Sequence, residues 1–165
     1  MMELLVRLEE SGFATWVRES NSLFAYPGVL FFHTLGMAFV AGISGLIDLR
    51  ILGFADEMPL GDMRKFLPYM WAGFAVNAAT GLVLFALDAT TKSISPVFYT
   101  KLAFIGVALA ICLIQRKIFR DPHVQKRPID ANTRILAIVS IICWMGAITA
   151  GRLLAYLGPG VVSQG

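Results

Sequence analysis

"LFFHTLGMAFVAGISGLIDLR", residues 30–50, is apolar or small at nearly every position. The run is long enough to cross a bilayer as a helix, which takes about 20 such residues. His33 sits inside it, roughly one turn from its start at 3.6 residues per turn. Lipid offers an imidazole no partner, so a histidine at that depth is either held by a neighbouring helix or used by a ligand.

Three further apolar runs accompany the first. The four are read as spans over 24–47, 66–87, 97–119 and 135–157. Composition agrees: 57% of the chain is hydrophobic and 15% charged, against roughly 25% charged in soluble domains. The spans fill most of the 165 residues and leave no room for a separate soluble domain. The expected fold class is all-α, an integral membrane four-helix bundle. Residues 1–21 are expected to form an amphipathic interfacial helix and 22–165 the four-span domain.

Within residues 2–19, Leu4, Leu5, Leu8, Trp16 and Val17 share one broad face, with Glu3, Arg7, Glu10 and Arg18 elsewhere. Such a helix lies in the interface plane. The opening "MMELLVRLEE" carries acids and no short apolar core with a cleavage site, so it does not read as a secretory signal. Ser22 is the expected cap of the first span, with Pro27 early in it. Asp62 is the expected cap of the second, with a bend at Pro68. Ser95 and Pro96 open the third. "FRDPHVQKRPID", residues 119–130, reads as a solvated connection, and His123 belongs to it.

Lys and Arg favour the cytoplasmic side of short loops. Nine of them follow the first and third spans: Arg50, Arg64, Lys65, Arg116, Lys117, Arg120, Lys126, Arg127 and Arg134. Five lie towards the other side: Arg7, Arg18, Lys92, Lys101 and Arg152. The bias places both termini in the periplasm of a bacterial inner membrane. The basic loops read as a topology signal and a contact for lipid headgroups, with no nucleic acid implied. Cys112 and Cys143 lie mid-span without CxxC spacing, as buried inert thiols do.

Polar residues recur on one side of each span at helical spacing. The first carries His33, Met37 and Ser44; the second Asn77, Thr80 and Asp88; the third Lys101, Cys112 and Gln115; the fourth Met145, Thr149, Arg152 and Tyr156. Intramembrane polar groups turn inward, so the stripes are expected to meet. At 1.5 Å per residue His33 lies roughly 13 Å deep, and Lys101 and Arg152 roughly 6–8 Å. Asp88 stands at the rim. One cationic pocket on the periplasmic side is the expectation, and the cytoplasmic half offers only Gln115 in comparison. Ala38, Gly42 and Gly45 in the first span, Gly73, Ala75, Ala78 and Gly81 in the second, and Gly146, Ala147, Ala150 and Gly151 in the fourth suit close helix packing.

Three occupants of that pocket compete. For haem b, His33 is the axial ligand, Lys101 a second ligand or propionate partner and Arg152 a propionate partner, with Thr149 and Tyr156 beside them. The usual second histidine is missing, because His123 falls on the wrong side. For copper, His33 and Met37 stand one turn apart with Met145 as a third soft ligand. In the third reading His33 bonds a neighbouring helix through Asn77 or Thr80, and Lys101 and Arg152 snorkel to headgroups. No HExxH, no Ser–His–acid set and no glycine-rich phosphate loop supports hydrolytic chemistry.

The stretches "HTLGMAFVAGISGLIDLRILG", "LPYMWAGFAVNAATGLVLF", "YTKLAFIGVALA" and "AGRLLAYL" resemble a group of uncharacterised bacterial four-helix inner-membrane proteins. More distantly the chain resembles the HemJ-type protoporphyrinogen oxidases and the copper-resistance D proteins. Those also place a histidine in an early helix, a glycine-rich second helix and a lysine just inside the next. The resemblance to the HemJ-type family implies that His33 and Lys101 are tied to haem b. The separate N-terminal helix and the "GR" of the fourth span depart from that pattern. The resulting expectation is a small inner-membrane haem-binding redox protein, exchanging electrons with quinone or a periplasmic carrier. The alternative is a non-catalytic subunit of a homo-oligomer or larger membrane complex, its polar pocket structural or holding lipid or copper.

Overall fold

The structure, a computed structural model, describes residues 2–20, 22–54, 57–120 and 129–156. Among these residues it is all-α: α1 (Met2–Glu9), α2 (Gly12–Glu19), α3 (Tyr26–Leu52), a 3-10 helix (Leu60–Phe66) running into α4 (Leu67–Leu87), α5 (Ala89–Ser93), α6 (Pro96–Arg120) and α7 (Ala131–Tyr156). Four helices are long and apolar enough to cross a membrane, as the four apolar runs require. The chain is a multi-pass membrane protein. His123 and Leu157 lie outside the described residues.

The N-terminal segment is two helices rather than one. Ser11 and Gly12 interrupt it, because the Ser11 hydroxyl accepts from Ala14 N at 3.3 Å and starts a new helix. Ala14 and Val17 of α2 are buried against Leu87. Glu9 Oε2 accepts from Thr90 Oγ1 at 2.7 Å and from Thr90 N at 3.2 Å, and Arg18 donates to the Leu87 carbonyl. The segment is thereby tied to the end of α4 and to α5.

α3 starts at Tyr26, with Pro27 in its first turn and no side-chain cap. Ser22 instead accepts from Phe24 N in the preceding turn, at 3.3 Å. α3 continues past residue 47 and stops at Gly53, whose φ of 101° only glycine adopts readily. Pro68 falls in the first turn of α4, so the expected bend is a change from 3-10 to α geometry. Asp62 pairs with Lys65 at 2.9 Å rather than capping the helix. α6 opens at Pro96 as read from the sequence.

α7 opens ahead of residue 135 because Asp130 caps it, accepting from Thr133 Oγ1 at 2.5 Å and Thr133 N at 3.4 Å. The Thr133 hydroxyl holds the Asp130 carboxyl below its usual range. A lowered folded value means that the cap stabilises above the ordinary aspartate range and is lost as pH falls through the lowered value. Hydrogen exchange at the first turn of α7 is expected to accelerate more between pH 7 and pH 3, relative to intrinsic rates, in the wild type than in Asp130→Asn. Equal acceleration in both would remove the carboxylate from the explanation.

α3 packs on α4 and α7, and α6 packs on α7. Gly36 of α3 faces Gly73 of α4 at backbone distance, whereas Gly42 and Gly45 have open space around them. The close approach therefore uses a different face of α3 from Ala38, Gly42 and Gly45. The core holds Val40, Met70, Ala108, Cys112, Cys143 and Trp144. Trp144 donates to Ser44 Oγ at 2.9 Å, across α3 and α7. The longer α3 also corrects the expectation that Gln115 is the polar group of the half away from the pocket: Asp48 is fully buried there beside it.

Candidate ligand cavity

The first turns of α3 and α6, the last turns of α4 and α7, and α5 line a partly open cavity of about 240 Å³. His33 and Lys101 both line it. Most of the wall is apolar; Phe85 and Phe98 form part of it, their rings stacked at 5.2 Å between centroids and 24° between planes.

His33 is held from α4. Its Nδ1 lies 3.1 Å from the Asn77 carbonyl oxygen and 3.1 Å from Thr80 Oγ1. A carbonyl oxygen only accepts, so Nδ1 carries the hydrogen. The Thr80 hydroxyl donates to Val76 O at 2.7 Å, which leaves its oxygen free to accept from the ring. In the neutral imidazole Nε2 is then the unprotonated nitrogen. No described residue hydrogen-bonds Nε2. Asn77 Nδ2 donates to the His33 carbonyl at 2.7 Å and completes the tie between the helices. Gly81 makes room for the ring: a Cβ there would stand 3.2 Å from His33 Cε1.

Lys101 reaches past Gly151, where a Cβ would stand 3.5 Å from both Cε and Nζ. Among the described residues its ammonium has neither an ion pair nor a hydrogen bond. Lys92, also in the wall, is neutralised by Asp88 at 2.9 Å and donates to the Leu84 carbonyl as well. Among the described residues, the two groups of the wall without a polar partner are thus the Lys101 ammonium and the Nε2 of His33. Lys92 was read from the sequence only as a topology charge, although Asp88 and Lys92 have the i,i+4 spacing of a helical ion pair.

The other expected site residues are not brought to this wall. Arg152, Thr149 and Tyr156 are exposed, and the Thr149 hydroxyl donates to Met145 O on its own helix. The polar stripe of the fourth span turns outward, which corrects the inward expectation. The inner face of α7 is taken by Ala137, Ser140, Cys143, Trp144, Ala147 and Ala150. Small residues allow close packing there, while long polar chains reach headgroups from outside. Met37 packs against the core and Met145 is 62% exposed, so His33, Met37 and Met145 do not converge. Among the described residues no three His, Cys, Asp or Glu side chains group as metal ligands.

Compared with family models, curated proteins and solved structures, the chain matches none. The cavity itself has to carry the functional argument.

Proposed function

We propose that this is a bacterial inner-membrane protein, both termini periplasmic, that binds the oxygen-bearing head of a membrane-soluble amphiphile in its outer cavity. A quinol head is the class that matches both polar groups. One hydroxyl donates to His33 Nε2, and the second oxygen accepts from the Lys101 ammonium. The apolar wall and the Phe85–Phe98 pair suit a flat ring, and the tail leaves into lipid. The observation that carries this reading is one cavity lined by both His33 and Lys101, whose Nε2 and ammonium have no hydrogen-bond or ion-pair partner among the described residues. The exposed Leu4, Leu8, Phe13 and Trp16 of α1 and α2 suit a segment lying against the lipid interface.

Haem b fits the cavity in one respect. A neutral imidazole that gives Nδ1–H to a carbonyl is oriented as an axial ligand is. The room argues the other way: about 240 Å³ lies below the roughly 300–1,000 Å³ of sites for ligands of drug size. Of the side chains expected at the propionates, Lys101 alone is at the wall.

The test is calorimetric titration of the detergent-purified protein with a short-chain quinol, alongside its visible spectrum. A hydrogen bond to a charged group is worth about 1.5–3 kcal/mol, so Lys101→Met is expected to weaken binding roughly ten- to hundredfold. Unchanged affinity in that variant would sink the assignment. A Soret band that His33→Ala removes would put haem in its place.

A further inference from the structure

We propose that Asp48 is a proton-binding site buried in the bundle, carrying one proton on Oδ2. It stands on its own helix turn, 15 residues from His33, or roughly 22 Å along α3 at 1.5 Å per residue. It does not depend on the identity of the cavity's ligand.

Asp48 is 0% exposed. Its Oδ1 accepts from Gln115 Nε2 of α6 at 2.8 Å. Its Oδ2 has no hydrogen-bond partner, and neither has the hydroxyl of Ser140, which is also 0% exposed. Ser140 of α7, Gln115 of α6 and Ser44 of α3 are the polar side chains around the carboxyl. Among the described residues, the other titratable group there is the Cys112 thiol of α6, 3.2 Å from Ser44 Oγ. Ile47, Ile51, Leu60 and Met63 form an apolar floor with the 3-10 helix.

Among the described residues no ion pair reaches the carboxyl. Arg64, Lys65 and Arg116 at this end are exposed, Lys65 pairs with Asp62, and Arg50 donates to the Met58 carbonyl. An isolated carboxylate in such surroundings is neutralised rather than tolerated. Two neutralising partners are conceivable, and the oxygen inventory separates them. A hard metal cation takes about six oxygen ligands. Here Oδ1 accepts from Gln115 and Ser44 Oγ from Trp144, and the buried side-chain oxygens without a partner among the described residues are Oδ2 and Ser140 Oγ. Two oxygens are too few for a metal, but they are what a proton needs: one to carry it and one to accept its hydrogen bond. A proton on Oδ2 gives that oxygen a hydrogen to donate to the other orphaned atom, Ser140 Oγ. Proton uptake at this point joins α6 and α7 to α3.

Infrared spectroscopy of the whole protein in liposomes tests this. At pH 7 the carbonyl band of a protonated carboxylic acid is expected in the wild type and absent in Asp48→Asn. Asp48→Asn is also expected to unfold within a few degrees of the wild type, because an amide keeps an acceptor for Gln115 and a donor for Ser140. Identical spectra would overturn the proposal. So would a band that sodium or potassium abolishes at constant pH, since that describes a cation site. If Asp48→Asn fails to fold, Ser140→Ala decides: losing the hydrogen-bond acceptor should shift the band, and an unmoved band would overturn the assignment.

Discussion

Gly36→Leu is expected to abolish the folded bundle, and even Gly36→Ala is expected to lower its unfolding temperature clearly. In an ordinary exposed helix position glycine to alanine stabilises by up to about 1 kcal/mol, so the sign itself is diagnostic. A Cβ at position 36 would stand 2.8 Å from Asn77 N and 2.8 Å from Gly73 O. Both are backbone atoms of α4, which cannot swing aside as the end of a side chain can. The reverse contact is as tight: a Cβ on Gly73 would stand 2.6 Å from Phe39 Cβ. Relief requires α3 and α4 to separate, and the hydrogen bonds from Asn77 to His33 cross at this point. Overpacking a close-packed interior costs about 1–3 kcal/mol when side chains can adjust, and more when they cannot. Gly42→Leu is the control, because nothing lies within 4 Å of a Cβ there. Thermal unfolding in detergent followed by circular dichroism should separate the two sites. Should Gly36→Leu unfold with the wild type, the glycine contact is not what joins α3 to α4.

That pair also shows why the sequence was legible only in part. Long apolar runs and Pro96 located the spans, because the bilayer demands length and composition from each helix independently. Which face of a helix meets its neighbour is a different matter. Lipid and protein interior are both apolar, so a spanning helix carries little contrast between its faces. Small residues on α3 occur on more than one face, and the spacing of Ala38, Gly42 and Gly45 pointed away from Gly36. The polar stripe of α7 failed for a related reason. Thr149, Arg152 and Tyr156 can reach water and headgroups from the outer face, while Trp144 and small residues filled the inner one. His33 and Lys101 were found because an imidazole and an ammonium have few other places to go. Asp48 was missed because a carboxylate near the end of an apolar run looks like the end of the span. Gly53 ends the helix five residues later, so Asp48 stays within α3 and is buried beside Gln115 of α6.

His33→Asn is expected to remove ligand binding while leaving the bundle folded, and His33→Ala to do damage on both counts. The two nitrogens of the ring have separate duties. Nδ1 joins α3 to α4 through the Asn77 carbonyl and Thr80 Oγ1. Nε2 has no partner among the described residues, and His33 lines the cavity. An asparagine places an N–H near the position of Nδ1, so the donor to Asn77 O survives. It has nothing at the position of Nε2, so a ligand hydroxyl loses its acceptor and stays unpaired in an apolar cavity. That loss is about 1–3 kcal/mol for a neutral group, or roughly five- to 150-fold in affinity. Alanine removes both nitrogens and opens a void beside Gly81, so its effect on binding is mixed with loss of stability. Unfolding temperature and quinol affinity, measured on the same preparations, distinguish the roles. If asparagine and alanine weaken binding only in proportion to their loss of stability, His33 acts solely as a cross-tie between helices. If asparagine retains stability and loses the ligand, Nε2 is the group that meets it.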